Sequence, residues 1–78
     1  MTLEIISANE ILFKGEADSI TLPGVLGSFT VLKNHAPLIS VLNKGDIVYK
    51  DAENAEKSIS IKGGLVDVDN NVVAVSIY

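Results

Sequence analysis

The chain contains no cysteine, no tryptophan and no arginine, and it has a single histidine. Without cysteine it can form neither a disulfide nor a thiolate nucleophile. Sequence-specific nucleic-acid binding relies on a basic face and on bidentate arginine contacts. All six basic residues are lysines, and the net charge is −4, so nucleic acid is not an expected partner.

Targeting signals and long apolar segments are also missing. The N-terminus lacks a basic region followed by an apolar run, so a secretory signal is not expected. No apolar run approaches the ~20 residues that a membrane-spanning helix requires. With 78 residues, the sequence predicts one domain, residues 1–78, with a small core because short chains bury less of their surface.

Apolar residues, by contrast, are abundant for so small a domain. They make up 47% of the chain, and the mean hydropathy is +0.37. A small domain has much surface and little interior. Part of this apolar set is therefore expected at the surface, where large apolar patches usually mark partner sites.

Short alternating segments separated by turn residues indicate an all-β fold. No stretch of ten or more residues has a helical period, whereas strand signals recur at intervals typical of a sandwich or barrel. Ile59 and Ile61 are expected to face inward, Gly15 to mark a bulge or bend, and the segment 69–71 to form a tight hairpin turn. The segments 38–42 and 72–77 are apolar on both faces, so the second face needs a cover.

Residues 22–42 contain both prolines and the only histidine. Gly24-Val25-Leu26-Gly27 resembles a phosphate-binding loop only superficially, because a strand follows it and the usual lysine is absent. A turn with apolar contact residues at its tip is the preferred interpretation. For His35, the sequence leaves two options open: a ring nitrogen that bonds a nearby carbonyl, or a position in an interface.

No catalytic or metal-binding constellation is recognisable. The chain has no Gly-x-Ser-x-Gly nucleophile motif, and Asp67-x-Asp69-Asn70 stops short of a calcium loop. The sequence therefore predicts neither catalytic residues, nor a metal site, nor a cofactor.

A long motif in the same stretch resembles the ε subunit of F-type ATP synthase. Residues 22–38 read Leu-Pro-Gly-x-x-Gly-x-Phe-x-Val-Leu-x-x-His-Ala-Pro-Leu. The resemblance extends upstream through Phe13-x-Gly15-x-Ala17 and downstream through Ile61-x-Gly63-Gly64-x-Val66, so it covers essentially the whole chain. It implies a flattened β-sandwich of about ten short strands in two sheets, an architecture that agrees with the strand pattern.

The resemblance also implies a function. Members of the family are non-catalytic subunits of the central stalk, the rotor of the proton-translocating ATP synthase. They couple rotation of the c-subunit ring to the γ subunit, and they lie peripherally at the cytoplasmic face of the bacterial inner membrane. The expected partners are therefore the γ subunit and the c ring.

Site residues follow from the same resemblance, position by position. The ring-facing loop corresponds to Val25, Leu26, Gly27 and Ser28. The γ-facing positions correspond to Ser7, His35, Leu38 and Ser40.

The sequence departs from the family pattern at several positions. Thr30 stands where glycine is frequent, Lys33-Asn34 where Pro-Gly is frequent, and Ser28 where an acidic residue is frequent. Because the chain stops at Tyr78, the resemblance predicts a short form without the inhibitory C-terminal helical hairpin. The alternative function is a small β-sandwich module that binds a peptide or carbohydrate, although such modules usually carry more aromatic residues.

Overall fold

Alternating apolar and polar residues form extended strands throughout the computed structural model, which describes residues 1–78. Successive side chains of a strand point to opposite faces, so each strand offers one face to a core. There are eight strands: β1 (Thr2–Ser7), β2 (Glu10–Gly24), β3 (Gly27–Leu32), β4 (Leu38–Leu42), β5 (Gly45–Asp51), β6 (Glu56–Ile61), β7 (Gly64–Asp69) and β8 (Val72–Ile77).

Strand β2 connects the two layers of the sandwich. It is 15 residues long. Its first half pairs with β1, which lies parallel to β8, and β8, β7 and β4 follow in order; these strands are the first layer. Its second half pairs with β3 on one side and with β5 on the other, and β6 follows β5; these strands are the second layer. The all-β sandwich prediction is confirmed.

Two bulges in β2 decide which side chains face the core. The pairing with β1 shifts after Ile5, and the pairing with β5 shifts between Ala17 and Ser19. The extra residue at Asp18 changes the inward parity from odd to even positions. Of the bulge or bend expected at Gly15, the bulge is not found, since Gly15 pairs regularly with Leu3.

The structure has eight strands, fewer than the number of about ten that the family resemblance implies. Residues 11–17 and residues 18–22 differ in which alternate positions face inward, yet they form a single strand that continues through the bulge at Asp18. A bulge turns the strand without ending its hydrogen-bonded ladder, so a change of alternation does not require a turn.

The core lies between the layers and contains apolar side chains from every strand. Phe13 of the first layer and Tyr49 of the second bridge it, with ring centroids 4.7 Å apart. Each fully buried aliphatic side chain contributes roughly 1.5–3 kcal/mol relative to exposure. The buried apolar residues are Met1, Leu3, Ile5, Ala17, Ile20, Leu22, Val31, Leu42, Ile47, Tyr49, Ile61, Val66, Val68, Val73 and Val75. Ile59 is half-buried and packs against this cluster, so the inward orientation of Ile59 and Ile61 is confirmed.

Asparagines at positive φ close two of the turns. Asn70 and Asn71 have φ values of 49° and 63°, and Asp69 pairs with Val72 across them. The predicted tight hairpin is confirmed. Asn34, with a φ of 63°, turns the chain after β3; asparagine tolerates this left-handed conformation better than most residues.

Candidate functional site

The hairpin between β2 and β3 presents an apolar tip. Val25 and Leu26 are the two turn residues; the side chain of Val25 is 51% exposed and that of Leu26 is completely exposed. Gly27, at a φ of 128°, takes a conformation that disfavours other residues. The strand β3 begins at Gly27, so no helix N-terminus is present to bind a phosphate, and the preferred turn interpretation is confirmed.

Backbone hydrogen bonds hold this tip to β4. The amide of Val25 donates to the carbonyl of Val41 at 3.2 Å, and the amide of Asn43 donates to the carbonyl of Pro23 at 2.7 Å. Gly24 lets the hairpin close tightly, because a Cβ there would lie 2.9 Å from the Phe29 ring and 2.7 Å from the carbonyl oxygen of Gly27. The tip is therefore a fixed projection of the sandwich.

Strand β4 exposes two apolar side chains, Ile39 and Val41, that the family resemblance does not assign to a contact. Leu38 and Ser40 share the parity of the buried Leu42 and are themselves half-buried. The side chains between them point outward: Ile39 is 69% exposed and Val41 is 52% exposed. The prediction that this strand is apolar on both faces is confirmed, and the open face consists of Ile39 and Val41.

The neighbouring strand continues this apolar surface. Val41 pairs with Leu65 of β7, whose side chain is 46% exposed. Paired residues project to the same face of a sheet. Ile39, Val41 and Leu65 therefore form one outer apolar patch on the first layer, and Asp67, the pairing partner of Ile39, borders it with a charge.

Strand β8 is less apolar on its outer face than its sequence suggests. Val72 is 44% exposed, Ala74 is half-buried and Ser76 is exposed. Its larger side chains, Val73 and Val75, point into the core. The uncovered second face expected for residues 72–77 is thus limited to Val72 and the small side chains beside it.

His35 is placed by local hydrogen bonds in the loop between β3 and β4. Its Nδ1 lies 2.7 Å from the carbonyl oxygen of Ala36, and its amide donates to the carbonyl of Leu32. The side chain is half-buried. The first of the two options for His35, a ring nitrogen bonded to a nearby carbonyl, is the observed arrangement. The preceding amide of Asn34 donates to Asn71 Oδ1 at 3.0 Å, which ties this loop to the β7–β8 turn.

Ser7 does not lie beside the other three predicted γ-facing residues. It ends β1, and β8 and β7 separate β1 from β4. The register aligns Ile6 with Ser76, Ser76 with Leu65 and Leu65 with Val41. Ser7 therefore lies near the end of the layer that carries Leu42, whereas His35 lies near the opposite end, beside Asn71.

The paired part of the hairpin that carries the tip, residues 19–32, has no charged side chain. No Asp, Glu, Lys or Arg occurs between Asp18 and Lys33. Ion pairs join Lys33 to Asp18 at 3.7 Å and Lys57 to Asp51 at 3.7 Å. The pKa of Asp51 lies below its usual value, chiefly because its carboxylate accepts the backbone N–H of Ala55. No helix capable of crossing a membrane is present.

Comparisons with known proteins agree on one family. The family model described as ATP synthase, Delta/Epsilon chain, beta-sandwich domain matches residues 1–77. The ATP synthase epsilon chain of Leptospira borgpetersenii is 40% identical over 75 residues, which are 96% of this chain and 58% of that protein. The epsilon chain of Chlorobaculum tepidum is 37% identical, over 90% of this chain and 80% of its own length.

Solved structures show the same fold at lower identity. A chain of the mitochondrial ATP synthase of Euglena gracilis, in a structure of OSCP, F1 and the c-ring, superposes with a TM-score of 0.90 at 23% identity. This match covers 96% of the present chain and 48% of the other. A chain of the central stalk and c-ring of the Tetrahymena thermophila mitochondrial ATP synthase superposes with a TM-score of 0.79 at 17% identity, over 97% of the present chain and 61% of the other.

The chain spans little more than half the length of several of the relatives it matches; for the Leptospira borgpetersenii protein the share is 58%. Within that span the match is nearly complete, because the family model extends from residue 1 to residue 77. The chain with this eight-stranded sandwich belongs to the delta/epsilon chain family of ATP synthase, whose β-sandwich domain it matches over residues 1–77.

Proposed function

We propose that this domain is a non-catalytic component of the central stalk of an F-type ATP synthase, where it couples rotation of the c ring to the γ subunit. The observation that carries the proposal is the family match across residues 1–77. A coupling element must be stiff and must have more than one contact surface. The continuous strand pairing of the sandwich meets the first need, and its exposed apolar tip and patch meet the second.

The ring-side contact is assigned to the tip, comprising Val25, Leu26, Gly27 and Ser28. All four residues are exposed, and the two apolar ones project at the turn. Exposed apolar side chains on a rigid hairpin are suited to a protein contact, because little conformational freedom is lost on binding.

The γ-side contact is assigned to the first layer along its whole length, from Ser7 at one end to His35 at the other, with Leu38 and Ser40 between them. Ile39 and Val41 are the most exposed apolar side chains of β4. Interface cores are enriched in apolar residues and depleted of charge. The outer patch has this character and is bordered by Asp67. It supports a partner subunit better than it supports a carbohydrate, since no aromatic side chain lies on it.

The proposal places the chain at the cytoplasmic face of a bacterial inner membrane, held there through the complex. The support is the bacterial origin of the relatives, such as Leptospira borgpetersenii and Chlorobaculum tepidum. The proposal assigns no reaction to the chain itself.

Co-expression with the γ subunit of a bacterial F-type ATP synthase tests the γ contact. We expect a one-to-one complex in native mass spectrometry and an affinity loss of about tenfold or more for Ile39→Asp, since a charge would be buried against the partner. Ser58→Asp adds the same charge to the outer face of the second layer and is the matched control. A wild-type chain that stays free in the presence of γ would overturn the assignment.

A further inference from the structure

The loop between β3 and β4, residues 33–37, carries His35, which the proposed function assigns to the γ contact. Bonds within the loop fix its local shape. The His35 amide donates to the carbonyl of Leu32 at the end of β3, and His35 Nδ1 lies 2.7 Å from the carbonyl oxygen of Ala36. Neither bond reaches a strand other than β3, so neither fixes where the loop lies on the sandwich.

Two polar contacts join this loop to more distant parts of the chain. The Lys33 ammonium lies 3.7 Å from the Asp18 carboxylate of β2, and both side chains are at least half exposed. Exposed ion pairs of this kind contribute little and weaken further as salt is added. The second contact is the hydrogen bond from the Asn34 amide to Asn71 Oδ1, at 3.0 Å. It is the one hydrogen bond between residues 33–37 and a residue outside β3 and the loop itself.

Asn71 has a backbone that is itself well fixed. It is the second residue of the β7–β8 turn, with a φ of 63°, a conformation that asparagine tolerates better than most residues. Its carbonyl accepts the amide of Thr2 at 3.1 Å, so Asn71 is tied to β1 as well as to its own turn. Its neighbour Asn70 also has a positive φ, 49°, but takes no part in the bond to the loop. The Asn71 side chain therefore offers its oxygen from a defined place.

We propose that Asn71 is a positioning residue for the γ contact: through the Asn34 amide it holds in place the loop that presents His35 to the partner. The inference rests on the proposed function, which assigns His35 to γ. It adds a residue from a different hairpin, one that acts through the loop and not by touching γ. A loop that is held in one arrangement before binding loses less conformational freedom on association than a mobile loop does.

Glycine substitutions separate the hydrogen bond from the turn that supports it. Glycine adopts a positive φ without strain, so Asn71→Gly keeps the turn and removes Oδ1. Asn70→Gly removes the same side chain one residue away and is the matched control. One hydrogen bond corresponds to about a two- to tenfold change in an equilibrium constant. We expect Asn71→Gly to weaken binding to γ by that factor and Asn70→Gly to keep wild-type affinity. Isothermal titration calorimetry of the whole chain with the γ subunit of a bacterial F-type ATP synthase measures both.

Two further measurements distinguish positioning from a general loss of stability. Asn71→Asp keeps an oxygen acceptor, and aspartate shares the tolerance of asparagine for positive φ, so this variant should bind γ as the wild type does. Asn70→Asp controls for the added charge. In the free chain, hydrogen exchange followed by NMR should be faster at the Asn34 amide in Asn71→Gly and unchanged in Asn70→Gly. Thermal unfolding verifies that each variant is folded at the temperature of the binding assay.

Failure of the inference and failure of the proposed function give different results. If the wild-type chain binds γ and Asn71→Gly binds as tightly as Asn70→Gly, the γ contact stands and only the inference is overturned. The same holds if Asn71→Asp does not restore the affinity, or if exchange at the Asn34 amide is unchanged in Asn71→Gly. If the wild-type chain does not bind γ, the γ assignment fails and the inference fails with it.

Discussion

The outer faces of the two layers differ in chemistry although they enclose one core. On the second layer, hydroxyl and charged side chains pair across strands: Thr21 and Thr30 approach to 2.9 Å, and Ser60 donates to Asp46 at 2.7 Å. On the first layer, Ile39, Val41 and Leu65 lie side by side in the open. Both layers contribute apolar side chains to the core, so the layers differ in chemistry on their outer faces.

This difference explains the unusual composition of the chain. A sheet that faces water on one side alternates apolar and polar residues, as β6 does. Strand β4 does not alternate in this way, because both its inner and its outer positions are mostly apolar. Most of the exposed apolar side chains thus lie on the first layer and at the hairpin tip.

The largest effect is expected inside β4. Leu42→Ala removes a side chain that is 2% exposed and should lower the free energy of unfolding by about 2–5 kcal/mol. Val41→Ala, one position away on the outer face, should cost at most about 1 kcal/mol. Urea denaturation followed by circular dichroism measures both. Equal losses would mean that the outer patch belongs to the folded core and would remove the contrast between the two faces.

A second pair of variants tests whether the first layer is held together by close backbone packing. A Cβ at Gly64 would run into the Ser76 carbonyl oxygen and approach Ile77 Cα to 3.2 Å, so Gly64→Ala should cost about 1–3 kcal/mol. At Gly15 the nearest atom is in the Phe13 ring, 3.1 Å away, and a side chain can move. Gly15→Ala should therefore cost less. The reverse order in thermal unfolding would contradict the close backbone approach of β7 and β8.

The smallest effect concerns the polar hairpin of the second layer. The Asp51 carboxylate accepts the amides of Glu53 at 2.9 Å and Ala55 at 3.0 Å, which lowers the pKa of Asp51, the bond from Ala55 being the largest cause. A lowered pKa in the folded state means stability that is complete above the ordinary aspartate pKa of about 3.9 and is lost as the pH falls below it.

Asp51→Asn should accordingly flatten the decline in stability as the pH falls below about 4, measured by thermal unfolding at a series of acidic pH values. Identical pH profiles for the variant and the wild type would show that the hairpin does not contribute to the acid sensitivity of the second layer.

Turns were predictable from sequence wherever the local backbone required a particular residue. Asn70 and Asn71 close a hairpin because asparagine accepts positive φ, and the alternation around Ile59 and Ile61 indicates an inward face without reference to any other strand. The bulge was not predictable in this way. The two register shifts occur between Ile11 and Phe13 and at Asp18, and not at Gly15, because bulges follow from the register between paired strands rather than from backbone freedom alone.

The candidate site, too, was predictable from the sequence only in part. The apolar tip at Val25 and Leu26 is visible in the sequence, since two apolar residues lie between turn glycines. The family motif assigns Leu38 and Ser40 to an interface, yet Ile39 and Val41 are the residues that project from the sheet. The burial of Leu42 shows which set projects, because alternation then places Leu38 and Ser40 on the inner face and Ile39 and Val41 on the outer face.

By itself, the sequence determined the all-β class, the positions of the turns and the excess of apolar residues, because these depend on residue alternation and local backbone preference. The tertiary structure decided where that excess lies: which face of β4 is open, that the tip is bonded to Val41, and that Ser7 and His35 lie at opposite ends of a layer. These relations depend on pairings between residues far apart in the chain, and side-chain alternation within one strand does not specify them.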